Sequence, residues 1–123
     1  MTLEIQFQKN VDDLVTVSLS GSLDTATSPE LERQLAPVLA SGIKHLIFDL
    51  AGLKFISSAG LRVFSATRRQ LNARGGHAAF VHLQPQIQEV FEIIKALPGV
   101  AVFESTEEMD RYLAARQRKH ENP

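Results

Sequence analysis

The sequence predicts one α/β domain: a mixed, mostly parallel sheet flanked by helices, in the order ββαβαβαβα. Three observations carry that reading. Two runs of alternating apolar and polar residues stand together at the N-terminus. After them, segments with apolar residues at helical spacing take turns with short apolar runs. The chain has 123 residues, which suits one domain and suffices to bury roughly two-thirds of the unfolded surface without staples. A strand, a helix and a strand in succession imply a right-handed parallel crossover, so the later strands should join one sheet.

Leu3, Ile5 and Phe7 alternate with Glu4, Gln6 and Gln8, and Val15, Val17 and Leu19 alternate with Thr16, Ser18 and Ser20. Each run reads as a strand with one buried face. Residues 10–13 between them suit a hairpin loop. Gly21 is expected to end the second strand, with a polar loop over residues 22–28. Pro29 fits the first turn of a helix capped by Thr27 or Ser28, and Thr27 with Glu30 matches a capping box. Leu31, Leu35, Val38 and Leu39 form the apolar stripe of that helix. Pro37 predicts a kink or break, because its ring would clash with the carbonyl of Arg33. Gly42 ends the segment.

Leu46-Ile47-Phe48 is a short continuous apolar run, which predicts a central strand covered on both faces. Asp49 follows, and residues 50–57 read as a loop. A second helix is expected over residues 58–73, with Leu61, Phe64 and Leu71 inward and Gly75-Gly76 ending it. Residues 78–83 read as the fourth strand. Pro85 opens a third helix with Ile87, Val90, Phe91 and Ile94 on one face, closed by Pro98-Gly99. Residues 100–103 read as a fifth strand. Ser105 and Glu108 form a capping box for a last helix carrying Met109, Tyr112 and Leu113. The domain is expected to span residues 1–115, with residues 116–123 as a charged, frayed tail.

Thirteen basic and fourteen acidic residues, well mixed, leave a net charge of −1. That balance gives no electrostatic footprint for nucleic acid or an anionic membrane. With no cysteine, disulfides, thiolate metal sites and a cysteine nucleophile are excluded. The apolar runs are far shorter than the ~20 residues of a spanning helix. Met1-Thr-Leu-Glu leads straight into a strand pattern, so no signal peptide is expected and a cytoplasmic location is. His45, His77, His82 and His120 show no helical metal-ligand spacing and no His-Glu-x-x-His, so no metal or cofactor is expected. Ala73-Arg74-Gly75-Gly76 lacks the Gly-Lys-Ser/Thr of a phosphate loop and reads as a helix stop. Arg62, Arg68 and Arg69 read as a solvated helix face.

Functional loops of open α/β sheets gather beyond the carboxyl ends of the parallel strands. Here those loops are residues 21–28, 49–57 and 83–85. If the second and third strands pair, Asp24 and Ser58 share one edge. There, Phe55-Ile56-Ser57-Ser58-Ala59-Gly60-Leu61 puts two hydroxyls at a helix start, followed by small residues that let another surface approach. Helix starts take serine routinely, so Ser57 as a plain N-cap explains the hydroxyls equally well. It leaves the small residues unexplained. A Ser58–His82–Asp49 hydrolase can be drawn. The turn is not Gly-x-Ser-x-Gly, however, and no glycine-rich oxyanion loop is present, so no catalytic residue is expected.

The segment Leu53-Lys54-Phe55-Ile56-Ser57-Ser58-Ala59-Gly60-Leu61-Arg62-Val63 resembles the signature of the anti-sigma factor antagonist family. That family belongs to the wider STAS group of domains shared with sulfate transporters. Gly21-Ser22-Leu23-Asp24 resembles the family's Gly-x-Leu-Asp after its second strand, and residues 86–97, with Val90-Phe91, resemble its third helix. The resemblance runs from about Leu3 to Leu113. It implies a STAS-like fold and a regulatory protein, not an enzyme. Such a protein binds an anti-sigma factor serine kinase to release a sigma factor, and phosphorylation at Ser58 switches it off. A serine phosphatase is a further implied partner. Asp24 matches the acidic residue beside the acceptor, and Gly60 and Leu61 match the helix start that the partner contacts. Ser57, Ala59 and Arg62 complete the implied contact surface. Two positions depart from the pattern: Ser57 stands where many members have Asp, and Ala59 where many have Ser or Thr. The first removes a charge beside the acceptor. Related domains also serve as unphosphorylated scaffold subunits of lipid-transport-type ATPases, which is the alternative function.

A phosphate adds about −1.5 to −2 charge at pH 7, and a helix N-terminus tolerates it. The sequence therefore leads us to expect Ser58 exposed at a helix start, with Asp24 close by and serving recognition rather than folding.

Overall fold

The computed structural model describes residues 2–10, 13–96 and 106–121. Its elements are β1 (Leu3–Lys9), β2 (Leu14–Leu23), α1 (Ser28–Ala40), β3 (His45–Ile56), α2 (Ser58–Asn72), β4 (His77–Val81), α3 (Pro85–Ala96) and α4 (Thr106–Glu121). The expected fifth strand, residues 100–103, and Ser105 of the second capping box lie outside the described residues.

The four strands form one sheet in the order β1-β2-β3-β4. β1 and β2 are antiparallel, and the other two pairings are parallel. This is the mixed sheet that the alternating patterns predict. Val15, Val17 and Leu19 of β2 and Leu46, Phe48 and Leu50 of β3 are buried. Val15 is in register with Leu46 and Val17 with Phe48, so these side chains share one face. Phe48 anchors that face. Its ring lies 4.8 Å from Phe64 of α2 and 5.2 Å from Phe80 of β4, and Phe80 meets Phe91 of α3 edge-on at 5.3 Å. Ile47, between Leu46 and Phe48, is only half-buried. The expected cover of both faces is therefore only partial on the Ile47 side, and the core takes the face of Leu46 and Phe48.

Pro37 does not break α1, which continues to Ala40. The proline is exposed and sits in the last turn, where a lost N–H removes one bond and no core packing has to yield. Gly21 does not end β2, which runs on to Leu23. Gly21 has φ +108°, and a Cβ there would collide with the backbone carbonyl of Thr2. Glycine thus permits the close crossing to β1 rather than stopping the strand. β3 likewise continues through the expected loop to Ile56. Its pairing with β2 shifts between Ser18 and Ser20 and again between Gly21 and Ser22. Each shift is a bulge that resets the two-residue period, so the buried residues fall at Leu46, Phe48, Leu50, Leu53 and Ile56. β4 spans His77–Val81 rather than residues 78–83, and His82 leaves it with φ +60°.

The expected tail from Arg116 is also corrected. α4 runs through to Glu121. Met109, Leu113 and Gln117 recur every four residues and are all buried, so they form one stripe. Arg116 pairs with Glu89 of α3 at 2.7 Å. The last member of the stripe is polar, which is why an apolar pattern stops short of it.

Candidate functional site

β2 and β3 end side by side. Leu23 is in register with Ile56, and the Ser57 amide donates to the Leu23 carbonyl at 2.9 Å. The loop carrying Asp24 and the turn carrying Ser57 and Ser58 therefore leave the same sheet edge, as the sequence predicts. Asp24, Ser57, Asp110 and Arg111 line one shallow depression there.

Asp24 is half-buried and engaged within its own loop. Its Oδ1 accepts the amides of Ala26 and Thr27, both at 3.0 Å. In return the Asp24 amide donates to Thr27 Oγ1 at 2.9 Å, and that hydroxyl donates to the Ser22 carbonyl at 2.8 Å. Thr27 thus turns back into the loop and makes no cap bond to α1. Glu30 is held by Arg33 and Gln34 instead, so the first capping box does not form. A purely recognitional Asp24 is corrected, because its carboxylate shapes the loop. Asp24→Ala is expected to lower unfolding free energy by about 1–2 kcal/mol, since two backbone donors lose their acceptor. Asp24→Asn, which keeps Oδ1, should lose less. Urea unfolding of both variants reads the difference.

Ser57 takes the extended backbone of an N-cap, with φ −103° and ψ 176°, yet its side chain makes no cap bond. Ser57 is 5% exposed and Ser58 2%, and neither hydroxyl oxygen has a hydrogen-bond partner. The expectation of an exposed Ser58 is corrected. The cap comes from α4. Asp110 Oδ1 accepts the Ser58 amide at 2.8 Å. About two helical turns further on, Gln117 grips the end of β3: its Oε1 accepts the Ile56 amide at 2.9 Å and its Nε2 donates to the Ile56 carbonyl at 2.8 Å. Nε2 also reaches the Leu113 carbonyl at 3.1 Å. Sequence reasoning missed Asp110 and Gln117. The one signal available was the four-residue spacing of Met109, Leu113 and Gln117.

The STAS domain family matches residues 2–109 of the chain. This chain belongs to the STAS domain family. BtrV of Bordetella bronchiseptica is 36% identical over 83 residues, 68% of this chain and 72% of BtrV. The anti-sigma-B factor antagonist of Staphylococcus epidermidis is 31% identical over 96 residues, 78% of this chain and 89% of its own. Among solved structures, an anti-sigma factor antagonist from Mycobacterium paratuberculosis superposes with a TM-score of 0.66 at 24% identity, covering 89% of this chain and 95% of that one. SpoIIAA in its unphosphorylated form gives 0.64 at 21% identity, over 73% and 83%.

In this STAS domain Gly60 is buried, which corrects its expected place in an open contact surface. A Cβ there would lie 2.7–2.8 Å from Leu23 and 2.9 Å from Ile56. Glycine lets α2 approach its own sheet. Leu23 and Ile56 are fully buried and have little room to yield, so Gly60→Ala is expected to cost about 1–3 kcal/mol by overpacking. A lower midpoint in chemical denaturation, with an unchanged slope, checks this. Ala59 and Leu61 are half-buried and Arg62 is exposed. Together with Ser58 and Met109, these three line a groove between α1 and α2.

The STAS domain also pairs His82 Nδ1 with Asp49 Oδ1 at 3.1 Å. The Ala51 amide, and after it His82, hold the Asp49 carboxyl below its ordinary value. Ser58 Oγ bonds to neither, so the relay of a serine hydrolase is not assembled. No helix among the described residues is long and apolar enough to cross a membrane.

Proposed function

We propose that this STAS domain is a cytoplasmic anti-sigma factor antagonist: it binds an anti-sigma factor that is a serine kinase, frees a sigma factor, and is switched off when Ser58 is phosphorylated. The observation that carries the reading is the place of Ser58, first residue of α2 at the edge where β2 and β3 end. The curated Staphylococcus relative supports it by name. SpoIIAA, alike in fold, has been solved in a phosphorylated form as well.

The chemistry follows from charge. Ala59 and Leu61 beside the helix start offer a partner apolar surface that is cheap to desolvate, and Ser58 itself carries no charge before modification. A phosphoserine there adds about −1.5 to −2 charge, which a buried interface must pair or dehydrate. Binding is lost while the sheet remains. A serine phosphatase restores it.

Incubation of the full chain with its anti-sigma factor kinase and ATP tests the reading. Intact mass should show one added phosphoryl group, retained in Ser57→Ala and lost in Ser58→Ala. No modification, with stable co-purification in a transporter ATPase, would replace the switch by a fixed scaffold.

A further inference from the structure

We propose that α4 is a latch over the phosphoacceptor, and that its closed position and the phosphorylation of Ser58 exclude one another. This deepens the reading of Ser58 as the switch residue and rests on it. Four observations lead here. The Ser58 hydroxyl is buried and unpartnered, so a kinase cannot reach it in the closed arrangement. The residues that close the site come from α4: Asp110 on the Ser58 amide and Gln117 on both backbone groups of Ile56. Both follow the segment that matches the family, which ends at residue 109. On its other side α4 is tied to α3 through Arg116 and Glu89, so it can lift from β3 and α2 without leaving the domain.

The exclusion is electrostatic. Phosphoryl transfer forms a bond from Ser58 Oγ to the terminal phosphorus of ATP and breaks the bond from that phosphorus to its bridging oxygen. ADP leaves, and the hydroxyl proton passes to a kinase base or to water. The product oxygens and the Asp110 carboxylate then compete for the same donor, the Ser58 amide, now held by Asp110 at 2.8 Å. Two anions at that range repel strongly when water is partly excluded. A phosphate carries more charge and is covalently fixed at the N-terminus of α2, so the carboxylate is the group that leaves. As α4 lifts, Gln117 releases Ile56. Asp110 and Gln117 are positioning residues: they set when Ser58 can be reached.

Amide exchange by NMR on the full chain, unmodified and with phosphoserine at position 58, tests the latch. The Ile56 amide, bonded across to Gln117, should exchange at least about tenfold faster in the phosphorylated chain, a local opening rather than global unfolding. The Gln117 side-chain amide signals should move to the position of solvated ones, while Val17 and Phe48 stay protected. With Asp110→Asn, which keeps an acceptor and removes the charge, phosphorylation should accelerate Ile56 less. Asp110→Ala and Gln117→Ala, unphosphorylated, should raise the initial rate of Ser58 phosphorylation by the kinase. Unchanged protection of Ile56 in the phosphorylated chain overturns the latch, as does equal acceleration of Ile56, Val17 and Phe48. Binding to the anti-sigma factor separates the two ideas. Lost binding with Ile56 still protected leaves the switch and removes the latch. Fast exchange at Ile56 with binding intact leaves the latch and removes the switch.

Discussion

Ser58→Asp is expected to weaken binding to the anti-sigma factor at least about 100-fold, about 2.8 kcal/mol, whereas Ser58→Ala should bind within a few-fold of the native chain. The two substitutions diverge because of what surrounds the side chain. The hydroxyl has no partner to lose, so alanine removes an unsatisfied buried group and should leave stability unchanged or slightly raised. Aspartate brings a charge into a position 2% exposed, next to the carboxylate of Asp110. It must be expelled with α4 or carried unpaired into the interface, and both oppose the complex. Titration calorimetry of the three chains against the anti-sigma factor measures the effect. Equal affinities would place Ser58 outside the interface.

Phe48→Ala is expected to cost about 3–5 kcal/mol, a large share of the about 5–15 kcal/mol that holds a domain together. Phe48 is fully buried and its ring touches those of Phe64 and Phe80. Its loss opens a void where β3, β4 and α2 meet, and three elements must move to close it. Phe48→Leu refills most of that volume and should cost less. Thermal unfolding followed by circular dichroism ranks the two.

The architecture was legible because it rests on local patterns. Val15, Val17 and Leu19 announce a strand by alternation, and Leu31, Leu35 and Leu39 announce a helix by spacing. Ser58 at a helix start was legible for the same reason: hydroxyls after an apolar pair mark the turn. The rest depends on partners that are remote in sequence. β3 looked like a loop beyond Asp49 because two bulges break its period, and only β2 beside it shows that pairing continues. Gly60 looked open to a partner because its neighbours Leu23 and Ile56 arrive from other elements. Ser58 looked exposed because its cover is an aspartate and a glutamine, residue types that carry no burial signal until their acceptors and donors on β3 and α2 are known. The Arg116 segment read as a tail since charge hides a helix whose contact side is partly polar.

The turn that carries Ser58 is closed by residues 52 and 61 positions downstream. On the ribosome, β1 to β4 and α1 to α3 are all made before that closure is possible. A nascent sheet therefore presents Ser58 without that cover, and the turn reaches its final form only once Asp110 and Gln117 have been made. A cut before Asp110 spares Phe48 and the aromatic cluster, yet strips the cover from the turn. Under the switch proposed for Ser58, such a fragment is an unguarded kinase substrate rather than an inert remnant, and a cut in α4 is felt at a turn 52 residues upstream.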